Sequence, residues 1–168
     1  MEHAIRKHCK VNAEDDPVFF KKMSEKLEEI IKKHAGNWEQ MMLELAALRK
    51  DVLAGRGPDA KVEDPFFDLI VSIAFTGGNL AEYVEQVKAC LDKIMELLNE
   101  NIGNLDFWER ADLVSDLKGQ IKKELFLSRV PQLKAQREQL AVEVVALARR
   151  RSAEVLGMSH MANSSESI

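Results

Sequence analysis

The feature that most constrains this chain is the step of its apolar residues. Between positions 80 and 98, Leu80, Val84, Val87, Leu91, Ile94 and Leu98 recur by fours and threes. That is the period of one α-helix face and of no strand. The same step returns along the chain, as Phe19, Met23, Leu27, Ile30 and Ile31, then as Trp38, Met41, Leu45, Leu48 and Val52. It continues through Phe66, Phe67, Leu69, Ile70, Ile73 and Phe75, through Trp108, Val114, Leu117, Ile121 and Leu125, and through Leu133, Leu140, Val144 and Leu147. No segment sustains the alternation a half-buried strand requires. The expected fold is therefore all-α, a helical bundle of about six or seven mostly antiparallel helices. Each apolar stripe needs the others, because isolated helices are marginal in water. The stripe over 80–98 spans only about three heptads, which suits a bundle helix better than a coiled coil.

Punctuation sets the expected boundaries. Asp16-Pro17 puts a capping residue before a proline at the first helical position. Asp64-Pro65 repeats the pattern. Asn37 with Gln40, Asn79 with Glu82, and Asp106 with Glu109 each have the spacing of a capping box. Gly36, Gly55 and Gly77-Gly78 stand where helices should stop. Residues 55–63 have no periodicity and read as the main flexible connection inside a helical domain covering 1–156. From Gly157 to Ile168 the sequence is Ser-rich, and 157–168 reads as a disordered tail. The helix expected over the first ten residues has no cap at its start, as in the C-terminal piece of a longer polypeptide.

Composition narrows the chemistry. Only 8 Gly and 4 Pro occur in 168 residues, and no apolar run reaches the ~20 residues of a membrane-spanning helix. Two cysteines, Cys9 and Cys90, cannot form a disulfide framework and read as reduced thiols of a cytoplasmic protein. The net charge of -4 argues against a dedicated nucleic-acid binder. Residues 111–151 nevertheless carry nine basic and five acidic groups, and end in Arg149-Arg150-Arg151. Those three arginines suit a helix C-terminus, or contact with phosphates or an acidic partner surface. Trp38 and Trp108 each follow a capping residue and read as core packing, or as interface anchors if exposed.

Catalytic constellations are absent from the pattern. There is no phosphate-binding Gly-rich loop. His3 and His8 are five positions apart, about 140° around a helix, unlike the i, i+4 pair of a helical zinc site. Cys90 sits between apolar positions, where a buried thiol is inert. No catalytic, cofactor-binding or metal residue is assigned.

Several strings carry a family resemblance. Met1-Glu2-His3-Ala4-Ile5-Arg6 with His8, Asp16-Pro17, Ser24-Glu25-x-Leu27-Glu28 and Asn37-Trp38 resemble the C-terminal region of the restriction (R) subunit of type I restriction–modification enzymes. So do Pro65-Phe66-Phe67-Asp68-Leu69, Asp106-Phe107-Trp108, residues 121–125 and residues 147–151. The resemblance covers about residues 1–151. It implies a helical assembly and coupling domain that docks an ATP-dependent DNA translocase and endonuclease onto its methyltransferase core. The implied partners are the methyltransferase M and S subunits, the motor domains of the same subunit and, through the assembled complex, DNA; no membrane is implied. ATP and magnesium belong to nuclease and motor domains whose motifs this sequence lacks, so no catalysis is expected of this chain alone. The expected contacts are Arg149, Arg150 and Arg151, with Trp38 and Trp108 as anchors. Two other classes fit the residues alone: a freestanding self-associating helical protein, and a nucleic-acid-binding module using the basic 111–151 segment.

Overall fold

The computed structural model describes residues 1–157, of which most are helical and none is in a strand. The chain divides into two compact units, Met1–Ala60 and Lys61–Ile168, and the division falls inside the aperiodic stretch 55–63.

Unit 1 consists of α1 (Glu2–Asn12), α2 (Pro17–Lys33) and α3 (Trp38–Ala54). Each packs on the other two. Ile5 and Cys9 of α1, Met23 and Leu27 of α2, and Leu45, Leu48 and Val52 of α3 form its core. Asp16 starts α2 as the sequence predicts. Pro17 takes the first helical position, and the Asp16 carboxylate accepts from the Phe19 backbone N–H at 3.2 Å. The same carboxylate, only 5% exposed, is held from the far end of the unit by Arg56. Arg56 Nη2 donates to its Oδ1 at 2.9 Å and Nε donates to its Oδ2. Arg56 reaches this position because Gly55 stops α3 at φ +66°, a backbone conformation that disfavours a Cβ. One buried carboxylate thus caps α2 and ties the chain beyond α3 back to it.

Asn37 caps α3 as expected, accepting from Gln40 N–H at 3.3 Å. Trp38, expected in the α3 stripe, departs from it and is 71% exposed, whereas Leu45, Leu48 and Val52 are buried. Its position at the first turn places it beyond the buried stripe's reach. His34 lies at the C-terminal cap of α2, with Nε2 2.8 Å from Glu44 Oε1 of α3.

Unit 2 contains α4 (Asp64–Ala74), α5 (Leu80–Ile102), a 3-10 turn (Phe107–Glu109), α6 (Ala111–Leu127), α7 (Pro131–Ala135) and α8 (Arg137–Arg150). Residues 152–157 are helical as well, Gly157 included, and the rest of the predicted tail lies outside the described residues. The α5 stripe is buried from Val87 through Leu91, Ile94 and Leu98 to Ile102, with Cys90 and Met95 beside it. Phe66, Phe107, Leu117, Ile121, Leu125, Leu133, Leu140, Val144 and Ala148 complete one core.

Three expected boundaries shift, each for a local reason. Asn79 and Asp106 adopt left-handed conformations (φ +70° and +58°) and make no side-chain cap bond, because a capping side chain works from the extended region. Asp106 therefore heads a 3-10 turn, and α6 begins only at Ala111. Asp64 lies inside α4, with its carboxylate accepting from the Lys61 backbone N–H at 2.9 Å. The last helix, expected to run unbroken from Pro131, divides at Gln136 (φ -98°, ψ 9°), where the Arg137 guanidinium takes up the Lys134 carbonyl.

Three outcomes follow from these contacts. Asp16→Ala is expected to lower the stability of unit 1 by about 3 kcal/mol, combining a lost cap with a guanidinium deprived of its buried carboxylate. Faster amide hydrogen exchange across α2 is the readout. The Glu44 carboxyl is held below the ordinary carboxylate range by its hydrogen bonds with Lys33, first, and His34. Its contribution is therefore present above the unfolded-state pKa of about 4.3 and is lost as pH falls through the depressed folded value. Glu44→Gln should flatten the acid limb of the unit 1 stability curve. Burial and the nearby Glu124 charge raise the Cys90 thiol to about 11, so Cys90 should resist thiol reagents at pH 8 until the chain unfolds.

Candidate docking surface

The expected contact residues lie on different elements, and α6 and α8 bring three of them together. Lys122 of α6 pairs with Glu138 of α8 at 2.7 Å. Moving back along α6 to Lys118 and Val114 corresponds to moving forward along α8 through Val142 and Val145 to Arg149. The two helices are therefore antiparallel, and their register carries the C-terminal end of α8 to the 3-10 turn that precedes α6. There the Arg149 guanidinium lies 6.0 Å from the centroid of the Trp108 ring. Trp108 in turn packs edge-on against buried Phe107, with ring centroids 4.9 Å apart at 80°.

The result is a groove of about 350 Å³ lined by Trp108, Val114, Lys118, Val142, Val145, Ala146, Arg149 and Arg150. Its floor is apolar. Three cations line it, and no carboxylate does among the described residues. Arg149 and Arg150 also occupy the last turn of α8, where the helix dipole favours positive charge. Their structural role and an outward-facing one are thus compatible. The exposed Val142 contributes apolar surface that nothing in the unit's core requires.

The other two predicted residues lie elsewhere. Arg151 does not line the groove; its side chain is 19% exposed and Nη2 pairs with Glu154 Oε2 at 2.6 Å. Trp38 belongs to unit 1. Sequence reasoning missed Val114, Val142 and Val145 as site residues, and it covered Lys118 only as part of the basic 111–151 segment. Their signal was present as two i, i+4 pairs, Val114/Lys118 and Val145/Arg149, but it becomes a site only once the α6–α8 register is known.

The remaining lysines of the basic segment are dispersed. Lys122 is tied to Glu138, whose carboxyl that pairing lowers, and Lys134 lies 4.4 Å over the Phe126 ring. Among the described residues no group of three or more His, Cys, Asp or Glu is placed to hold a metal ion. No helix there is long and apolar enough to cross a membrane. A second cavity, of about 460 Å³, lies between α4 and α5, but its charges are mixed: Lys61 and Lys88 against Glu63, Asp64 and Asp92.

No protein-family model, curated protein or solved structure matches this chain.

The Trp108–Arg149 contact makes a separable prediction. Trp108→Ala removes a half-buried aromatic and should destabilise unit 2 by about 3 kcal/mol. Arg149→Ala, at the distance limit of a cation–π contact, should cost under about 1 kcal/mol. Thermal unfolding of the two variants checks the difference, and it makes Arg149 the better residue for testing binding.

Proposed function

We propose that this chain is a helical docking domain whose work is binding rather than chemistry. Its setting is the one the sequence resemblance implies: the assembly and coupling region of a type I restriction enzyme R subunit, seating the translocase and endonuclease on the M and S methyltransferase core. Nuclease and motor activity, with their ATP and magnesium, belong in this reading to other parts of the full-length subunit.

The observation that carries the reading is the groove between α6 and α8. An apolar floor with an aromatic wall supplies the burial that gives affinity, and the positive side chains of Lys118, Arg149 and Arg150 supply the orientation. Such a surface fits a partner segment that presents an aliphatic or aromatic side chain flanked by acidic ones. Arginine and tryptophan are also the residue types most often found where binding energy concentrates.

The test is co-elution of the purified chain with its cognate M–S core in size-exclusion chromatography. Lys118→Glu and Arg149→Glu together should weaken co-elution at least about tenfold while leaving the helical circular dichroism spectrum unchanged. Undiminished co-elution of the double variant would move docking away from this groove. Binding of duplex DNA by the chain alone, with a steep salt dependence lost in the same variant, would replace the reading with a nucleic-acid module.

A further inference from the structure

A different surface, on α3 of unit 1, carries a second binding inference that does not depend on the groove. The face of α3 that packs on α1 and α2 holds Leu45, Leu48 and Val52. The opposite face is not polar, as a solvated face should be. It presents Leu43 and Leu53, 67% and 61% exposed, together with Ala46. Apolar residues on both sides of a helix indicate that both sides are covered in use.

The charges on this outer face say what the cover is. Glu39 and Lys50 project along the same line as Ala46, at steps of seven and four. They are eleven residues apart, about 16 Å along the axis, too far to pair with each other. A second α3 laid antiparallel across the face, with its two-fold axis between residues 44 and 45, puts Glu39 opposite Lys50 of the other copy. The symmetry makes that contact twice. The same operation brings Leu43 to the level of Ala46 of the other copy. The short Ala46 side chain allows the helix axes to approach closely. Acid at one end, base at the other and small apolar residues between them make the face complementary to itself.

We infer that the outer face of α3 is a self-association surface, through which two copies of this chain pair by antiparallel α3 helices.

Sedimentation equilibrium of the full 168-residue chain under reducing conditions tests this. A monomer–dimer equilibrium is expected. Glu39→Lys alone and Lys50→Glu alone each set like charges opposite one another twice, and each should weaken association at least about tenfold. The double variant E39K/K50E merely exchanges the two ends and should restore it. All four substituted sites of the dimer are on exposed helix surface, and circular dichroism verifies folding. A chain that stays monomeric up to about 1 mM overturns the inference, since some other surface then covers α3. A dimer indifferent to the single reversals, or not restored by the double, also overturns it, because the contact then lies elsewhere.

Discussion

The antiparallel seam between α6 and α8 is the interaction on which the candidate site depends. Leu117, Ile121 and Leu125 from one helix and Leu140, Ala141, Val144 and Ala148 from the other are all buried in one core. Each fully buried large aliphatic side chain contributes about 1.5–3 kcal/mol, so a slip in register would cost far more than any surface contact gains. That register has a consequence outside the core. It fixes where α8 ends relative to the turn before α6, and so places Arg149 over Trp108. The side chains of the groove are thus positioned by packing in the core.

In unit 1 the corresponding constraint is electrostatic. A buried carboxylate is expensive unless its oxygens are engaged, and both oxygens of Asp16 are: one by Phe19 N–H and Arg56 Nη2, the other by Arg56 Nε. The start of the second helix and the chain just beyond the third are thereby held by one side chain, while the apolar core of the unit is small. The same unit leaves the outer face of α3 rich in apolar surface. A three-helix arrangement can bury only one side of each helix, so residues on the other side answer to something besides the unit's own stability.

Helix identity was legible in the sequence because the three-and-four step of apolar residues survives wherever a helix buries one face. Asp16 and Asn37 act as the caps their residue types suggest because both have negative φ and non-helical backbone, from which a short side chain meets the next free amides. Asn79 and Asp106 have the same residue types at the same spacing, yet left-handed backbone turns their side chains from that task. Nothing local distinguishes the two cases; the turn each must close decides it. The break at Gln136 carried no Pro or Gly signal, and it is met by an arginine bond to a carbonyl. Of the candidate site, the sequence marked Trp108, Arg149 and Arg150 by residue type and charge density. It could not separate them from Arg151, which the fold commits to Glu154. It also could not reveal the apolar floor, since Val114, Val142 and Val145 become neighbours only through the pairing of α6 with α8.

The groove between α6 and α8 is proposed to receive a partner, and a footprint on the chain locates what that partner covers. Amide hydrogen exchange of the full chain, alone and with the M–S methyltransferase core, reports which segments a partner covers. Protection concentrated at residues 107–118 and 142–150, with α4 and α5 unchanged, is the predicted result. Protection confined to other helices, with those two segments exchanging as they do in the free chain, would contradict it.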